Sequence, residues 1–151
     1  MTDYRPLTPA DLELVARHRH EMFEASGRTD ELLAPMTAAF REWLEPRLAD
    51  GTYFGWIAED AGQPVGGLGM MVIDWPPHPS HPTQGARGYI LNLFVEPGRR
   101  GQGIAHALMD LATAQGRRRG IDYMVLHATE QGRPIYEKLG WRQTSEMSIS
   151  L

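Results

Sequence analysis

The chain has 151 residues, a net charge of −4 at neutral pH and no cysteine. That length suits one domain, residues 1–151, burying about 70% of its unfolded surface, and the composition is ordinary for a globular protein. The charge offers no basic field for nucleic acid or an anionic membrane, and the missing cysteines exclude a disulfide framework, a thiol nucleophile and a cysteine–zinc site while fitting a cytoplasmic setting.

Tyr4-Arg5-Pro6-Leu7 reads as a short first strand, without the apolar core of a signal peptide around it. Thr8-Pro9-Ala10-Asp11 starts a helix: a Thr N-cap, Pro at the first helical position and an acid in the first turn. That helix carries Leu12, Val15, Met22 and Phe23 and breaks at Ser26-Gly27. A second helix is expected from about Met36 to Leu48, with Phe40, Trp43 and Leu44 on one side.

Strand signals follow. Thr52 to Glu59 alternates loosely, Asp60-Ala61-Gly62-Gln63 is a hairpin turn, and Pro64 to Trp75 is a longer glycine-rich strand. Its apolar centre, Gly66 to Ile73, is far too short to cross a membrane. Pro76 to Pro82 is a proline loop, because so many prolines leave backbone that joins neither helix nor ladder. Tyr89 to Val95 is an apolar, β-branched strand, followed by a helix with Ile104, Leu108, Leu111 and Ala112 at helical spacing and an end at Gly120. Ile121 to Ala128 is the next strand, Arg133 to Leu139 a short helix closed by Gly140, and Trp141 to Leu151 a final strand. The order predicts an α/β protein of the mixed α+β kind: a central mixed, twisted sheet of about six to seven strands with helices on both faces.

The chemistry concentrates where strand becomes helix, at Arg99-Arg100-Gly101-Gln102-Gly103-Ile104-Ala105. Free backbone N–H groups point out of a helix N-terminus, the dipole favours negative charge, and glycines let a ligand approach the backbone. The turn reads as a cradle for a phosphate or pyrophosphate. A dinucleotide pattern fails on detail: His106 stands where a third glycine belongs, and Asp122 opens a strand instead of ending one. His78 and His81 in the proline loop have no third ligand at metal spacing, so no metal site is expected.

Two motifs in order carry a family resemblance. Arg100-Gly101-Gln102-Gly103-Ile104-Ala105 fits the acyl-coenzyme A signature (Arg/Gln)-x-x-Gly-x-(Gly/Ala), and Ile135-Tyr136-Glu137-Lys138-Leu139-Gly140-Trp141 fits a tyrosine-bearing helix ending in Gly and an aromatic. The chain resembles the GNAT-type (general-control-related) N-acetyltransferases over nearly its full length. The resemblance implies acetyl transfer from acetyl-CoA, a cosubstrate, to an amine by direct attack in a ternary complex, without a metal. It implies that the amides from Arg100 through Gly101, Gln102, Gly103 and Ile104 to Ala105 bind the pyrophosphate. It also implies that Leu93, Phe94 and Val95 pair through their main chain with the pantetheine, where this strand splays from the next. Tyr136 takes the general acid's place, protonating the departing thiolate.

Two departures stand out. Asn92 occupies a strand position where many relatives carry a carboxylate, and an amide is no base at neutral pH, although it can orient water or substrate. Thr129, followed by Glu130, replaces an asparagine that often meets the pantetheine. The proton acceptor stays open among Glu130, His127 and Glu21, with a buried, hydrogen-bonded core role the more natural reading of His127. One of Arg117, Arg118 and Arg119 is a candidate for the coenzyme's ribose phosphate. Met22-Phe23 and Trp43-Leu44 lie in the segment that lines the acceptor pocket in this fold, and the proline loop and helical hairpin favour an enclosed pocket. Three readings follow: transfer to a primary amine of a small molecule, a non-catalytic acyl-CoA sensor, or transfer to a protein or peptide. Relatives are often dimers, and the final strand is a candidate contributor to such a homodimer.

Overall fold

A computed structural model describes residues 1–151. Five strands pair in the order β1-β2-β3-β4-β5: β1 (Thr2–Pro6), β2 (Phe54–Asp60), β3 (Gln63–Asp74), β4 (Ala86–Val95) and β5 (Met124–Leu126). The first four are mutually antiparallel and β5 is parallel to β4, reached through the crossover helix α3 (Ile104–Arg118). Helices α1 (Leu12–Ala25) and α2 (Asp30–Asp50) cover one face of the sheet, and α4 (Arg133–Lys138) follows β5.

Several elements differ from the sequence expectation. The sheet has five strands, not six to seven, because Trp141–Leu151 pairs with nothing and is irregular. Ile121–Ala128 contributes only Met124–Leu126, since β4 offers partners only from Gly88 to Ile90. Helix α2 begins well before Met36. Thr29 lends its carbonyl to the first turn, Asp30 and Glu31 complement the dipole, and the helix continues through Pro35 and Pro46. Tertiary packing of Leu33, Phe40, Leu44 and Leu48 outweighs what each proline costs the ladder.

The sheet separates two apolar clusters. On the α3 side Val65, Leu68, Met70, Ile90, Ile104, Leu108 and Met109 pack together; on the α1/α2 side Val15, Ala16, Phe40, Leu44, Leu48 and Tyr53 do so. The chain's entry into α1 is clamped by Arg5, whose guanidinium makes two 2.9 Å bonds to buried Asp11 and a 2.7 Å bond to Glu59 of β2. The proline loop is tied down by side chains. Arg87 lies between the Trp75 and Tyr123 rings and donates to fully buried His81, whose Nδ1 meets the Gln84 carbonyl at 3.0 Å.

Candidate active site

β4 carries the geometry on which the site depends. Gly69 pairs with Leu91 and Gly67 with Phe94, so Asn92 and Leu93 together oppose Leu68 across a bulge. Asn92 absorbs the extra residue in the left-handed region, at φ 57°. Beyond the bulge β4 runs on to Val95, whereas pairing with β5 stops at Ile90. The two strands therefore part, and Leu93, Phe94 and Val95 have no pairing partner on the β5 side. Phe94 turns its ring to the α1 side, stacked on His18 at 4.7 Å, while Leu93 and Val95 pack towards α3.

The strand delivers into the glycine turn. Gly101 and Gly103 both hold positive φ, 77° and 83°, which lets the chain tighten before α3 without a Cβ penalty. No main-chain N–H from Arg100 through His106 has an acceptor within the protein; the ladder begins with Ala107 donating to Gly103. Buried Ile104 anchors the helix start in the core while these donors face outward. The two arginines divide: Arg99 is committed to Asp60 (2.6 Å) and Gln102 (3.2 Å), whereas exposed Arg100 leans on the Val95 carbonyl (3.3 Å).

A groove of about 990 Å³ opens between α3, β5 and α4, and Tyr136, His127, Met109, Leu126 and Trp141 are among its walls. The Tyr136 hydroxyl makes no hydrogen bond to the protein, and burial raises its pKa above the ordinary tyrosine value, so it is protonated at neutral pH. Thr129 and Glu130 lie outside this groove, in the exposed turn before α4. The Thr129 hydroxyl accepts the Gly132 N–H (3.0 Å) and its carbonyl the Arg133 N–H (2.9 Å), which starts α4.

Behind the bulge lies a polar cluster that local sequence did not disclose. Asn92 is 5% exposed, donates through Nδ2 to the Tyr53 hydroxyl (2.8 Å) and accepts from Arg19 (2.7 Å). Its side chain points into the protein, not towards substrate water. Burial pushes the Tyr53 hydroxyl up to about 12, and Arg19 is stacked over the Phe23 and Phe40 rings. A Cβ on Gly69 would collide with the Tyr53 hydroxyl, so only glycine admits this contact. The partners are 39 and 73 residues from Asn92 in sequence, which is why no motif signals them.

The remaining candidates divide clearly. His127 is not a core residue: its side chain is 71% exposed and pairs with Glu146 at 2.7 Å on the groove wall. Glu21 is paired with Arg17 (3.1 Å), which also holds Glu96. Arg119 caps the Phe54 ring at 3.8 Å and Arg118 bonds Gln115, leaving Arg117 on the groove. Trp43 stacks on Phe40 and meets Tyr53 edge-on, and Leu44 is fully buried, so both serve the core. The proline loop adjoins the paired end of β4, about 30 Å of strand from Val95. It therefore walls off nothing at the glycine turn. His20, Glu24 and Asp30 bring ligand-type atoms within 4.8 Å, but His20 is already engaged by Thr37 (2.7 Å) and Asp30 (3.4 Å).

The parting of the sheet, the unpaired amide run and the protonated tyrosine are the features of the candidate site, and comparison with known proteins gives the family. Residues 14–141 match the Acetyltransferase (GNAT) family, and the chain belongs to that family. The fold is similar to a GCN5-related N-acetyltransferase from Ralstonia eutropha JMP134, with 56% identity, a TM-score of 0.98 and coverage of 100% of this chain and 99% of that one. It is also similar to a predicted acetyltransferase with acetyl-CoA from Clostridium acetobutylicum, at 29% identity, a TM-score of 0.90 and coverage of 100% and 96%. A glucosamine 6-phosphate N-acetyltransferase of Trypanosoma brucei brucei is 41% identical over 63 residues, covering 40% of this chain and 42% of that relative's length. No helix is long and apolar enough to cross a membrane.

Proposed function

We propose that this chain, working as a single domain, transfers the acetyl group of acetyl-CoA to a primary amine of a small molecule, by direct attack in a ternary complex. The observation that carries the reading is the parting of β4 from β5 immediately before an unpaired amide run. The run, Arg100 to Ala105, holds the pyrophosphate through backbone hydrogen bonds and the helix dipole. The main chain of Leu93 to Val95, unpaired by β5 and with its Val95 carbonyl met by the Arg100 side chain, aligns the thioester arm and its carbonyl. The amine nitrogen forms a bond to the acetyl carbon, the carbon–sulfur bond breaks, and protonated Tyr136 supplies the proton that the leaving thiolate takes up. The proton lost by the amine passes to water in the open groove, whose wall carries His127 paired with Glu146. Glu130 has no partner that would turn it towards this groove. The sugar-phosphate relative supports a small acceptor, and the absence of cysteine fits a cytoplasmic setting.

The internal commitment of Asn92, where a base is often found, supports a second reading as a non-catalytic acyl-CoA sensor. Thiol release separates the two. The protein is incubated with acetyl-CoA and a panel of small amines, amino sugars and peptides, with calorimetry of acetyl-CoA alone in parallel. Turnover with a small amine is expected; tight acetyl-CoA binding without turnover on any acceptor sinks the enzyme reading, and turnover on peptides alone sinks the small-molecule one.

A further inference from the structure

The unpaired amide run contains two glycines at positive φ and has no ladder bond until Ala107, so by itself it is loose. A loose run must be ordered when a ligand arrives, which costs affinity; whatever orders it beforehand strengthens binding. Buried Ile104 anchors its helical end, and the Glu96 N–H, bonded to the Val65 carbonyl at 2.9 Å, anchors its strand end. Between Pro97 and Gly103 two side chains reach outside the turn. Arg100 meets the Val95 carbonyl (3.3 Å), on the strand that leads into it. Arg99 alone reaches a different part of the fold: its Nη2 donates to Asp60 at 2.6 Å, 39 residues back in the chain.

Asp60 is a fixed post. It closes β2 and pairs with Gln63 across Ala61-Gly62, whose φ values of 50° and 77° are those of the tight hairpin turn that matches strand twist. The Asp60 and Arg99 side chains are only 29% and 30% exposed, so water and salt screen the pair incompletely. The hydrogen bond from Arg99 holds the Asp60 carboxyl below the ordinary aspartate value, which keeps it charged at neutral pH. Through Nε the same guanidinium donates to Gln102 Oε1 at 3.2 Å, inside the amide run. One side chain thus ties the rigid hairpin to the loose turn.

We propose that Asp60 is a positioning residue for the cosubstrate: through Arg99 it presets the amides of Arg100 to Ala105 for a pyrophosphate that it never touches. The proposal rests on the reading of that run as the acetyl-CoA cradle, and it fixes the sign of an effect. By charge alone, a carboxylate near the cradle opposes a doubly negative pyrophosphate, so its removal tightens binding. By positioning, its removal weakens binding.

Calorimetry of acetyl-CoA on the full chain reads that sign. Asp60→Asn should weaken affinity by about three- to tenfold, and Asp60→Glu should recover part of the loss. Asp60→Asn combined with Arg99→Met should bind no more weakly than Arg99→Met alone, because both act through one pair. In steady-state kinetics the KM for acetyl-CoA should rise while kcat holds. Thermal unfolding of Asp60→Asn should keep the wild-type midpoint, since a partly exposed ion pair contributes little to stability. Tighter or unchanged acetyl-CoA binding in Asp60→Asn, or additive losses in the double variant, each overturn the proposal. Gly103→Glu distinguishes the two ways to fail. If it destroys affinity while Asp60→Asn does not, the cradle stands and Asp60 does not position it; if it too leaves affinity intact, the proposal falls with the cradle.

Discussion

The two faces of the sheet are built on different principles. Against α3 the buried side chains are apolar, and the polar groups that matter are main-chain amides at the helix start and the free edge of β4. Against α1 and α2 the apolar cluster encloses polar side chains: His18, Thr37 and Asn92 are buried there, with Tyr53 and Arg19 bonded to Asn92. The proposed donor half needs backbone geometry, which tolerates varied side chains. The other half uses a side-chain network to hold a bulge that hydrogen bonds of the ladder alone would not specify. If that contrast is right, substitutions on the first face should disturb binding and turnover, and those on the second should disturb stability.

The largest effect is expected at Tyr136. Tyr136→Phe should lower kcat by about 10²–10⁴-fold with acetyl-CoA affinity retained, read by steady-state kinetics and calorimetry. Equal losses in affinity and turnover would instead make Tyr136 a packing residue. Next comes Gly103→Glu, which sets a carboxylate against the amide run. Acetyl-CoA affinity should fall by at least about a hundredfold. A Cβ there meets open space, so urea unfolding should register only the modest strain of a side chain at positive φ, about 1–2 kcal/mol. Unchanged affinity would move the pyrophosphate elsewhere.

On the second face, Asn92→Ala should cost about 2–4 kcal/mol in urea unfolding, from an unpartnered Tyr53 hydroxyl and a left-handed alanine. Asn92→Gly relieves the backbone strain alone and should recover part of that loss. Should Asn92→Ala leave stability intact but lower turnover, the cluster belongs to the site after all. The smallest effect at neutral pH belongs to His18, whose pKa is lowered to about 4 by burial, with Arg17 adding to the shift. In the unfolded chain histidine titrates near 6.5, so as pH falls the unfolded state takes up a proton first. The stability of neutral His18 is complete above about pH 6.5 and is lost progressively down to about pH 4, amounting to about 3 kcal/mol. A pH series of thermal unfolding should show this fall in the wild type and a flatter curve in His18→Leu; parallel curves would mean that His18 is protonated in the folded state.

How much of the site was legible follows the same division. The unpaired amides of Arg100 to Ala105 could be anticipated because a helix N-terminus with two glycines is local chemistry, and the short helix that carries Tyr136 because it has a recognisable end. His127 was misread as core because strand alternation says which residues share a face, not whether anything covers it; here the groove leaves it to solvent. The long α2 was shortened because Pro35 is a local stop signal that packing of Leu33 overrides. For Asn92 the sequence marked the absent carboxylate but not the hidden amide.

By itself, then, the sequence determined the order of the elements through α4, the strand before and the helix after the glycine turn, and the place where main-chain amides are left unpaired, all set within a few residues by dihedral preference and capping. Only the tertiary structure decided that β4 outruns β5, that Asn92 turns inward to Tyr53 and Arg19, and that Trp141–Leu151 finds no strand in its own sheet. Each of these depends on partners dozens of residues away, or on space left empty, and neither leaves a periodic trace in the chain.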